Sequence, residues 1–479
     1  MKHNYRIIIV GSGLAGLAAA DILSRYGLSL LVIDDNAHIG GQLLRKPPQA
    51  GSGGKRFEPD WLKRQGARLA ERLQKGNIQF LKGAQVLGIY PERILLVQDI
   101  RGHVSEYRAD ILILATGARE RQLPFKGWAL PGVMSTGAAQ ILMKNSGILP
   151  GRKTLIGGCG PLMLVLAAEI LASRGQVLAV LDQSSPAMKL KAVSAGPAIW
   201  PKLFEGATYL VRLAAARVPM TQGVRIVEAR GGRQLQEVVV SRVDADGRTV
   251  QGTERIYTTD TLAVGYGFSP NIELPQQAGC AVKFSSAKGG WYVDVKDNMA
   301  STVTGIYAVG ETTGIAGAGK SFIEGSIAAW TILNREGVAD RQTYETNTRP
   351  LMRQRDRQVQ YGRFLNHLCR LQPGCYKDIP DETVICRCEE ITMADIRRQM
   401  NNDFTTMNSI KKTTRCGMGN CQGRICGPIL SDILSAHSHL QPEDIGCPSA
   451  RAPVKTVALD ALAQMTRISG KDEEAQSSD

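Results

Sequence analysis

Apolar residues in the first part of the chain fall in short unbroken runs rather than in alternation. Residues 6–10 read Arg-Ile-Ile-Ile-Val, and residues 30–33 read Leu-Leu-Val-Ile. A run that is apolar at every position predicts a strand covered on both faces, as in a parallel sheet. Between these two runs lie Gly11-Ser12-Gly13-Leu14-Ala15-Gly16 and an Ala/Leu-rich helical stretch. The pattern therefore predicts strand, tight loop, helix and strand. Gly11 permits the turn, and Gly13 lets a pyrophosphate approach the backbone. Gly16, with Ala20 one turn later, lets the helix pack closely on the strand. The helix N-terminus offers free N–H groups and a partial positive charge to phosphates. Asp34, with Asp35 beside it, ends the second run at the spacing expected of a ribose-binding acid.

Further along, Gly40-Gly41-Gln42-Leu43 forms a loop, and residues 47–55 are rich in Pro, Gly and Ser, which predicts a mobile segment. Residues 61–75 read as an amphipathic helix, 78–86 as a strand, and 94–97 with Tyr107 as a hairpin. Another all-apolar run, 111–114, ends at Ala115-Thr116-Gly117. A second glycine loop, Gly157-Gly158-Cys159-Gly160-Pro161-Leu162-Met163, is followed by a helix and by the run 177–182. Met163 occupies the third glycine position, which predicts a wider gap between helix and strand and speaks against pyridine nucleotide. A fold kept for packing and one holding ATP or NAD both remain open here. Cys159 has no partner at Cys-x-x-Cys spacing, and Cys280 reads as a small buried residue. Residues 264–271 predict the strand that returns to the first fold, and 305–311 include Gly310-Glu311. Residues 314–325 begin a helix in which Lys320 and Glu324 read as surface or interface charges rather than catalysts. Residues 335–361 read as a charged linker with helical stretches.

A chain of 479 residues exceeds one core, so about three domains are expected. The net charge of +14 comes from 58 basic and 44 acidic residues, with denser basic runs at 341–363 and 397–424. No aromatic-interleaved basic patch points to nucleic acid. That leaves a solvated basic surface, or attraction to anionic cofactors, an acidic partner or a membrane face. The N-terminus enters a strand at once without the order of a signal peptide, and Gly or charge breaks every apolar stretch. No transmembrane helix is expected.

Ten cysteines are present, and half of them fall at close spacings from Cys386 to Cys426. Such crowding suggests a metal more than disulfides. Four thiolates can hold a [2Fe-2S] cluster or a tetrahedral zinc, and the spacing alone admits both. Cys386-x-Cys388 supplies one pair. Cys416/Cys421 and Cys421/Cys426 both have four intervening residues. The expected pair is Cys421 and Cys426, because Gly417-Met418-Gly419 is a flexible approach that leaves Cys416 before the turn. Residues 422–433 then read as a helix start, whose dipole favours thiolates.

Several of these segments carry a resemblance. The Gly40-Gly41-Gln42 loop resembles that of two-dinucleotide-fold flavoproteins such as thioredoxin reductase. Ala115-Thr116-Gly117 resembles the motif closing the first half of a flavin domain, and Gly310-Glu311 the final flavin motif, whose acid is usually Asp. The text Arg119-Glu120-Arg121-Gln122-Leu123-Pro124-Phe125, Gly127-Trp128 and Leu130-Pro131-Gly132-Val133 sharpens it. Over nearly its whole length the chain is similar to the alpha subunits of multi-subunit flavin dehydrogenases, namely hydrogen cyanide synthase, opine oxidase and the dye-linked proline dehydrogenases. The cysteine segment resembles the [2Fe-2S] domain of bacterioferritin-associated ferredoxin and favours iron over zinc.

The resemblance implies an α/β fold class with two nested dinucleotide-binding (Rossmann-like) domains and a small helical [2Fe-2S] domain. It implies an FAD domain at 1–118 and 290–335, an NAD(P)-binding-like domain at 119–289, a linker at 336–380, the cluster domain at 381–447 and a tail at 448–479. FAD is expected along Gly11, Ser12, Gly13, Leu14, Ala15, Gly16, Asp34, Asp35, Gly40, Gly41, Gln42, Leu43, Ala115, Thr116, Gly117, Gly310 and Glu311, with Val86 near the adenine. The cluster ligands implied are Cys386, Cys388, Cys421 and Cys426. Arg387, Lys411, Lys412, Arg415 and Arg424 flank them and would raise the cluster potential. Residues 451–457 resemble the extended family C-terminus beside a partner's flavin, and residues 471–479 read as disordered.

No acid–base dyad, nucleophile or substrate pocket signature stands out, so no catalytic residue is expected in this chain. The resemblance places substrate oxidation in a separate FAD-containing beta subunit with an oxidase-like fold. FMN can lie between the subunits, and a small third subunit is compatible with the family. The expected role is electron transfer from an amino acid or opine through flavin and cluster. The expected compartment is cytoplasmic, with peripheral contact to the inner membrane allowed. Two rival readings are a self-sufficient NAD(P)H-dependent flavin reductase and a non-catalytic module that keeps nucleotide and cluster for docking.

Overall fold

The computed structural model describes residues 2–45, 61–76, 78–184, 200–401, 406–438 and 440–463. The loop expected at 47–55 and the polar end at 471–479 lie outside the described residues.

The all-apolar runs form the parallel centre of a seven-stranded sheet. Its order is Gln79–Lys82, Leu30–Asp34, Lys2–Val10, Val104–Leu114, Ile94–Gln98 and Gln85–Tyr90, with Ile306–Ala308 also on Val104–Leu114. Ile7, Ile8, Ile9, Val32, Ile113 and Leu114 are fully buried, as strands covered on both faces require. The strand expected over 78–86 is two strands. Gly83, with φ +67°, breaks it, and Gln85–Tyr90 pairs antiparallel to Ile94–Gln98 at the far edge. The expected hairpin joins the next strand without a break, since Val104–Leu114 is one continuous element.

A second sheet, fully parallel, runs Met220–Gln222, Gln176–Asp182, Lys153–Cys159, Thr261–Tyr266 and Val133–Ser135. The helix Leu162–Ala172 lies on it, and Met163, 2% exposed, fills the space against Ile156 and Leu166 that a glycine would leave empty. The chain enters and leaves this fold side by side, because Ala118–Glu120 pairs antiparallel with Phe268–Pro270. The strand expected at 264–271 is therefore divided. Thr261–Tyr266 closes the second sheet, and Phe268–Pro270 makes the return.

The charged stretch after residue 335 is a 28-residue helix, Arg341–Leu368, that carries Pro350 inside it. Asp340 caps it by accepting from the Thr343 N–H at 2.7 Å. Gly362 sits against Ala316, where an added Cβ would meet the Ala316 Cβ at 2.4 Å, so the helix docks on the core. Beyond it come the short ladder Val384–Cys386 with Ile391–Thr392 and the helices Met393–Met400, Met407–Thr414 and Cys426–Ser438. Capping boxes at Thr392/Asp395 and Thr406/Ser409 start the first two helices. This part shares one apolar core with the second fold, a core that includes Phe125 and Trp128 as well as Ile385 and Ile429. Trp128 Nε1 also donates to the Val384 carbonyl at 2.6 Å. Among the described residues no helix is long and apolar enough to cross a membrane.

Candidate nucleotide cradle and cysteine centre

The three separated glycine motifs meet at the N-terminus of the helix Leu14–Ser24. Gly11 has φ +106°, and a Cβ there would lie 2.3 Å from the Ala115 carbonyl oxygen. At Gly16 a Cβ would lie 1.9 Å from the Gly11 carbonyl oxygen, which fixes the close approach of helix to strand. Gly310, with φ +82°, faces the Ala15 Cβ at 3.0 Å, and Gly325 brings the helix Ala318–Arg335 onto the Ala15 backbone. Gly13 differs from these, because nothing stands within 4 Å of where its Cβ would be, and Gly117 is open in the same way. The helix has no side-chain cap at Gly13, so its first N–H groups face that space. Leu14 and Ala15 are buried on its first turn.

The expected cofactor residues divide by what holds them. Asp34 is buried, and its Oδ2 accepts from the Ser12 N–H at 2.5 Å and Oγ at 2.7 Å. Asp34 Oδ1 accepts from the Asn36 N–H and Nδ2, both at 2.8 Å. Asp35 is exposed. Gly40 donates to the Ser12 carbonyl at 2.8 Å, and Gly41 packs on Gly13, where a Cβ would stand 2.9 Å from the Gly13 Cα. Gln42 and Leu43 continue that turn, with Gln42 exposed. Val86 is buried in the sheet core. Thr116 Oγ1 donates to the Asn271 carbonyl at 2.8 Å, Asn271 Nδ2 donates back to the Thr116 carbonyl at 2.8 Å, and Thr312 Oγ1 reaches the same Asn271 carbonyl at 2.6 Å. Asn271 thus ties two glycine motifs together. Glu311 Oε1 accepts from the Gly317 N–H at 2.9 Å and the Ala316 N–H at 3.3 Å. Burial raises its carboxyl pKa, against the nearby Lys320 charge.

Lys320 and Glu324 are neither surface nor interface charges but lie in the interior of this chain. Their side chains are 3% and 4% exposed, and they pair at 3.1 Å. Lys320 Nζ donates to the carbonyls of Gly310 and Gly314, each at 2.8 Å, and Glu324 Oε2 accepts from the Gly310 N–H at 2.9 Å. The pair fastens the 310–314 turn to the helix.

The second glycine loop has the same course and a different filling. Gly158, with φ +130°, lies against the Gly265 carbonyl, which a Cβ would meet at 1.9 Å. Gly160 stands in the loop where Gly13 stands in the first. A Cβ on Gly160 would lie 2.7 Å from Cys369 Sγ. Cys369 follows the long helix, is buried, and contacts the Cys159 thiol. Asp182, at the end of its strand, turns inward to accept from the Ser184 N–H at 2.9 Å and Oγ at 2.7 Å.

Five thiols gather in the small domain. Cys386, Cys416 and Cys426 are buried with their sulfurs within 4.8 Å of one another. Cys421 contacts Cys426, and the exposed Cys388 contacts Cys421. Cys416 is therefore inside the group, not on an approach outside it. The reason is local: Arg415 ends the helix Met407–Thr414 in the left-handed region at φ +66°, which turns the next residue inward. The helix expected at 422–433 begins only at Cys426. Backbone N–H groups of Gly417 and Glu389 serve Cys386, and those of Ile425 and Gly423 serve Cys421. Contact with Cys416 and Cys426 draws the Cys386 thiol down to about 2, and contact with Cys386 pushes Cys416 up to about 12. So close a set of soft donors, with N–H groups aimed at two of them, fits an iron–sulfur cluster or zinc. Of the flanking cations, Arg415 pairs with Glu389 at 2.8 Å, Arg387 stacks over Trp128 at 5.1 Å, and Arg424 Nε donates to the Cys421 carbonyl at 3.0 Å.

Residues 5–337 match the pyridine nucleotide-disulphide oxidoreductase family, and residues 381–465 match the sarcosine oxidase A3 domain. The A subunit of opine oxidase from Rhizobium meliloti is 30% identical over 97% of this chain and 88% of its own length. The HcnB subunit of hydrogen cyanide synthase from Pseudomonas aeruginosa is 33% identical over 96% of this chain and 98% of its own. Among solved structures, L-proline dehydrogenase from P. horikoshii superposes with a TM-score of 0.67 at 20% identity, over 96% of this chain and 80% of that one, a likeness of fold.

Proposed function

The chain belongs to the pyridine nucleotide-disulphide oxidoreductase family, alongside the opine oxidase and hydrogen cyanide synthase subunits it resembles, and from that premise we propose that it is the electron-transfer subunit of a hetero-oligomeric amino-acid or opine dehydrogenase. FAD would lie in the first cradle, and a [2Fe-2S] cluster in the cysteine centre. Substrate oxidation would take place in a separate oxidase-like subunit. When bound, flavin and cluster together supply the exchange of paired for single electrons.

One observation carries this reading. A Cβ at Gly13 would meet open space, whereas a Cβ at Gly160 would lie 2.7 Å from Cys369 Sγ. Open space at the first loop supports a pyrophosphate there, and the sulfur close to the second loop supports a chain whose reducing equivalents come from a partner rather than from a pyridine nucleotide. The chain's own residues then have defined tasks. Gly11, Gly13 and the N-terminus of the Leu14–Ser24 helix receive the phosphates. Asn271 and the Lys320–Glu324 pair hold the other two motifs in place around them. At the centre, Cys386, Cys388, Cys421 and Cys426 would be the ligands, with Cys416 packed beside them. The Gly417, Glu389, Gly423 and Ile425 N–H groups would stabilise the thiolate charge. Exposed Cys388 puts one edge of the centre at the surface, where single electrons can leave.

The test is an anaerobic titration of the purified chain, alone and with its co-expressed oxidase-like partner. NADH and NADPH are expected to leave the flavin absorbance unchanged. An amino acid or opine is expected to bleach it only when the partner is present. Bleaching by NADH at a catalytically useful rate would instead establish a stand-alone reductase.

A further inference from the structure

The chain after Cys447 crosses back over the first fold. Gln276 Nε2 donates to Cys447 Sγ at 3.2 Å, and the Val454 N–H donates to the Leu87 carbonyl at 2.8 Å. Ala452 fills the place of the side chain that Gly88 lacks, with its Cβ 2.9 Å from that position. Val457 and Ala461 close on Leu87 and Val104. Between these anchors Lys455 Nζ forms an ion pair with Asp35.

The position of that pair matters. Asp35 follows directly on the strand Leu30–Asp34, at the carboxyl end of the parallel sheet, where nucleotides bind. Asp34 has both oxygens engaged by Ser12 and Asn36. Residues 83 and 84 return to the same corner, with Gly83 N–H to the Asn36 carbonyl at 3.0 Å and Ala84 N–H to the Asp34 carbonyl at 2.9 Å. The second carboxylate at this corner is therefore Asp35, and the cation beside it is delivered from the distant C-terminal segment. Residues 451–457 lie against this chain's own first fold.

We propose that Lys455 is a positioning residue of the nucleotide site. The strap of residues 447–457 closes the adenosine end of the first cradle, and the Lys455 ammonium holds the Asp35 carboxylate in register for the ribose. Nucleotide retention in the first fold is thereby tied to the docking of the cysteine domain from which the strap emerges. This rests on the reading that the first loop holds an adenine nucleotide.

The experiment uses the full-length protein and follows the release of bound nucleotide by fluorescence after dilution, together with the melting temperature of the nucleotide-free form. Lys455→Met is expected to release nucleotide about five-fold faster, the scale of a partly exposed ion pair. Lys455→Glu is expected to release it faster still, and Lys455→Arg to stay within about two-fold of wild type. The melting temperature of the nucleotide-free form should be unchanged in all three, which a purely structural role would not give. Wild-type release rates in both Lys455→Met and Lys455→Glu overturn the proposal, as does a Lys455→Arg variant as fast as Lys455→Met. Wild-type protein that retains no adenine nucleotide overturns the reading of the first loop itself, and the proposal with it.

Discussion

Lys320 Nζ stands 3.1 Å from Glu324 Oε2, one helical turn away, in a region from which water is excluded. The two charges also bind the backbone of the 310–314 turn from opposite sides, through the Gly310 carbonyl and the Gly310 N–H. Removing one member leaves the other buried and unpaired, which costs about 3–5 kcal/mol. Lys320→Met should therefore lower the denaturant midpoint strongly and loosen the nucleotide, because Gly310 is no longer held against Ala15. The double variant Lys320→Met/Glu324→Leu should recover much of the stability. Chemical denaturation of the three proteins checks this, and additive losses in the double variant would rule out the coupling.

Gly13 and Gly16 should respond differently to an added side chain. Gly13 has φ −66° and open space before it, so Gly13→Val is expected to fold normally and to lose bound nucleotide. At Gly16 a Cβ would stand 1.9 Å from the Gly11 carbonyl, so Gly16→Ala should lose the fold itself. Circular dichroism read beside nucleotide content after denaturation separates the two outcomes. Full nucleotide content in Gly13→Val would remove the first loop from the site.

The first cradle was legible because its signals are local. Strand periodicity, glycine spacing and the acid at the strand end all lie within residues 6–34. What escaped depends on residues distant in sequence. A lysine and glutamate four apart on a helix read as a solvated surface pair. Their burial follows from the 310–314 carbonyls and from the helix Arg341–Leu368, which no local pattern announces. Cys369 says nothing about Gly160 until the long helix has docked. Cys416 was misplaced because a left-handed Arg415 reverses the chain, and sequence favours glycine or asparagine for that conformation rather than arginine. Met163 stands at the third glycine position of the second loop and is buried. It packs in the core on that helix and strand, and Cys369 Sγ lies close to Gly160, where an added Cβ would meet it at 2.7 Å.

Glu120 sits where the chain passes between the two folds, with Oε2 accepting from the Gly137 N–H at 2.7 Å. Burial raises its carboxyl to about 7, against the lowering effect of the Ser135 and Gly137 hydrogen bonds. The folded pKa exceeds the unfolded value, so the folded state binds more protons between the two. Stability contributed by this group is full below about 4.5 and declines as pH rises toward about 7. Glu120→Gln should therefore melt higher than wild type at pH 8 and show a smaller gap at pH 5. Equal differences at both pH values would mean that Glu120 is already ionised in the folded protein.

The cysteine centre offers five thiols for four places. Cys426 touches both of the alternatives, Cys416 on the buried side and Cys421 on the exposed side, while Cys386 touches Cys416 and Cys426, and Cys388 touches Cys421. Serine at Cys386 or Cys426 should abolish the reduced-state EPR signal whichever set holds the iron. The two remaining positions discriminate. A two-iron cluster takes two thiolates on each iron, and the Cys386-x-Cys388 and Cys421-x4-Cys426 pairs each span a short turn. Cys388→Ser and Cys421→Ser are therefore expected to lose or greatly alter the signal. On the proposed ligand set Cys416→Ser should keep iron content and signal near wild type, because its thiol would pack beside the cluster without ligating it. Iron and acid-labile sulfide assays on anaerobically purified protein give the loading, and EPR gives the electronic state. The reverse pattern, with Cys416→Ser empty and Cys388→Ser loaded, would give the fourth place to Cys416 and draw the cluster into the buried triad. Zinc in place of iron would remove electron transfer from this centre altogether, since zinc has no accessible second oxidation state.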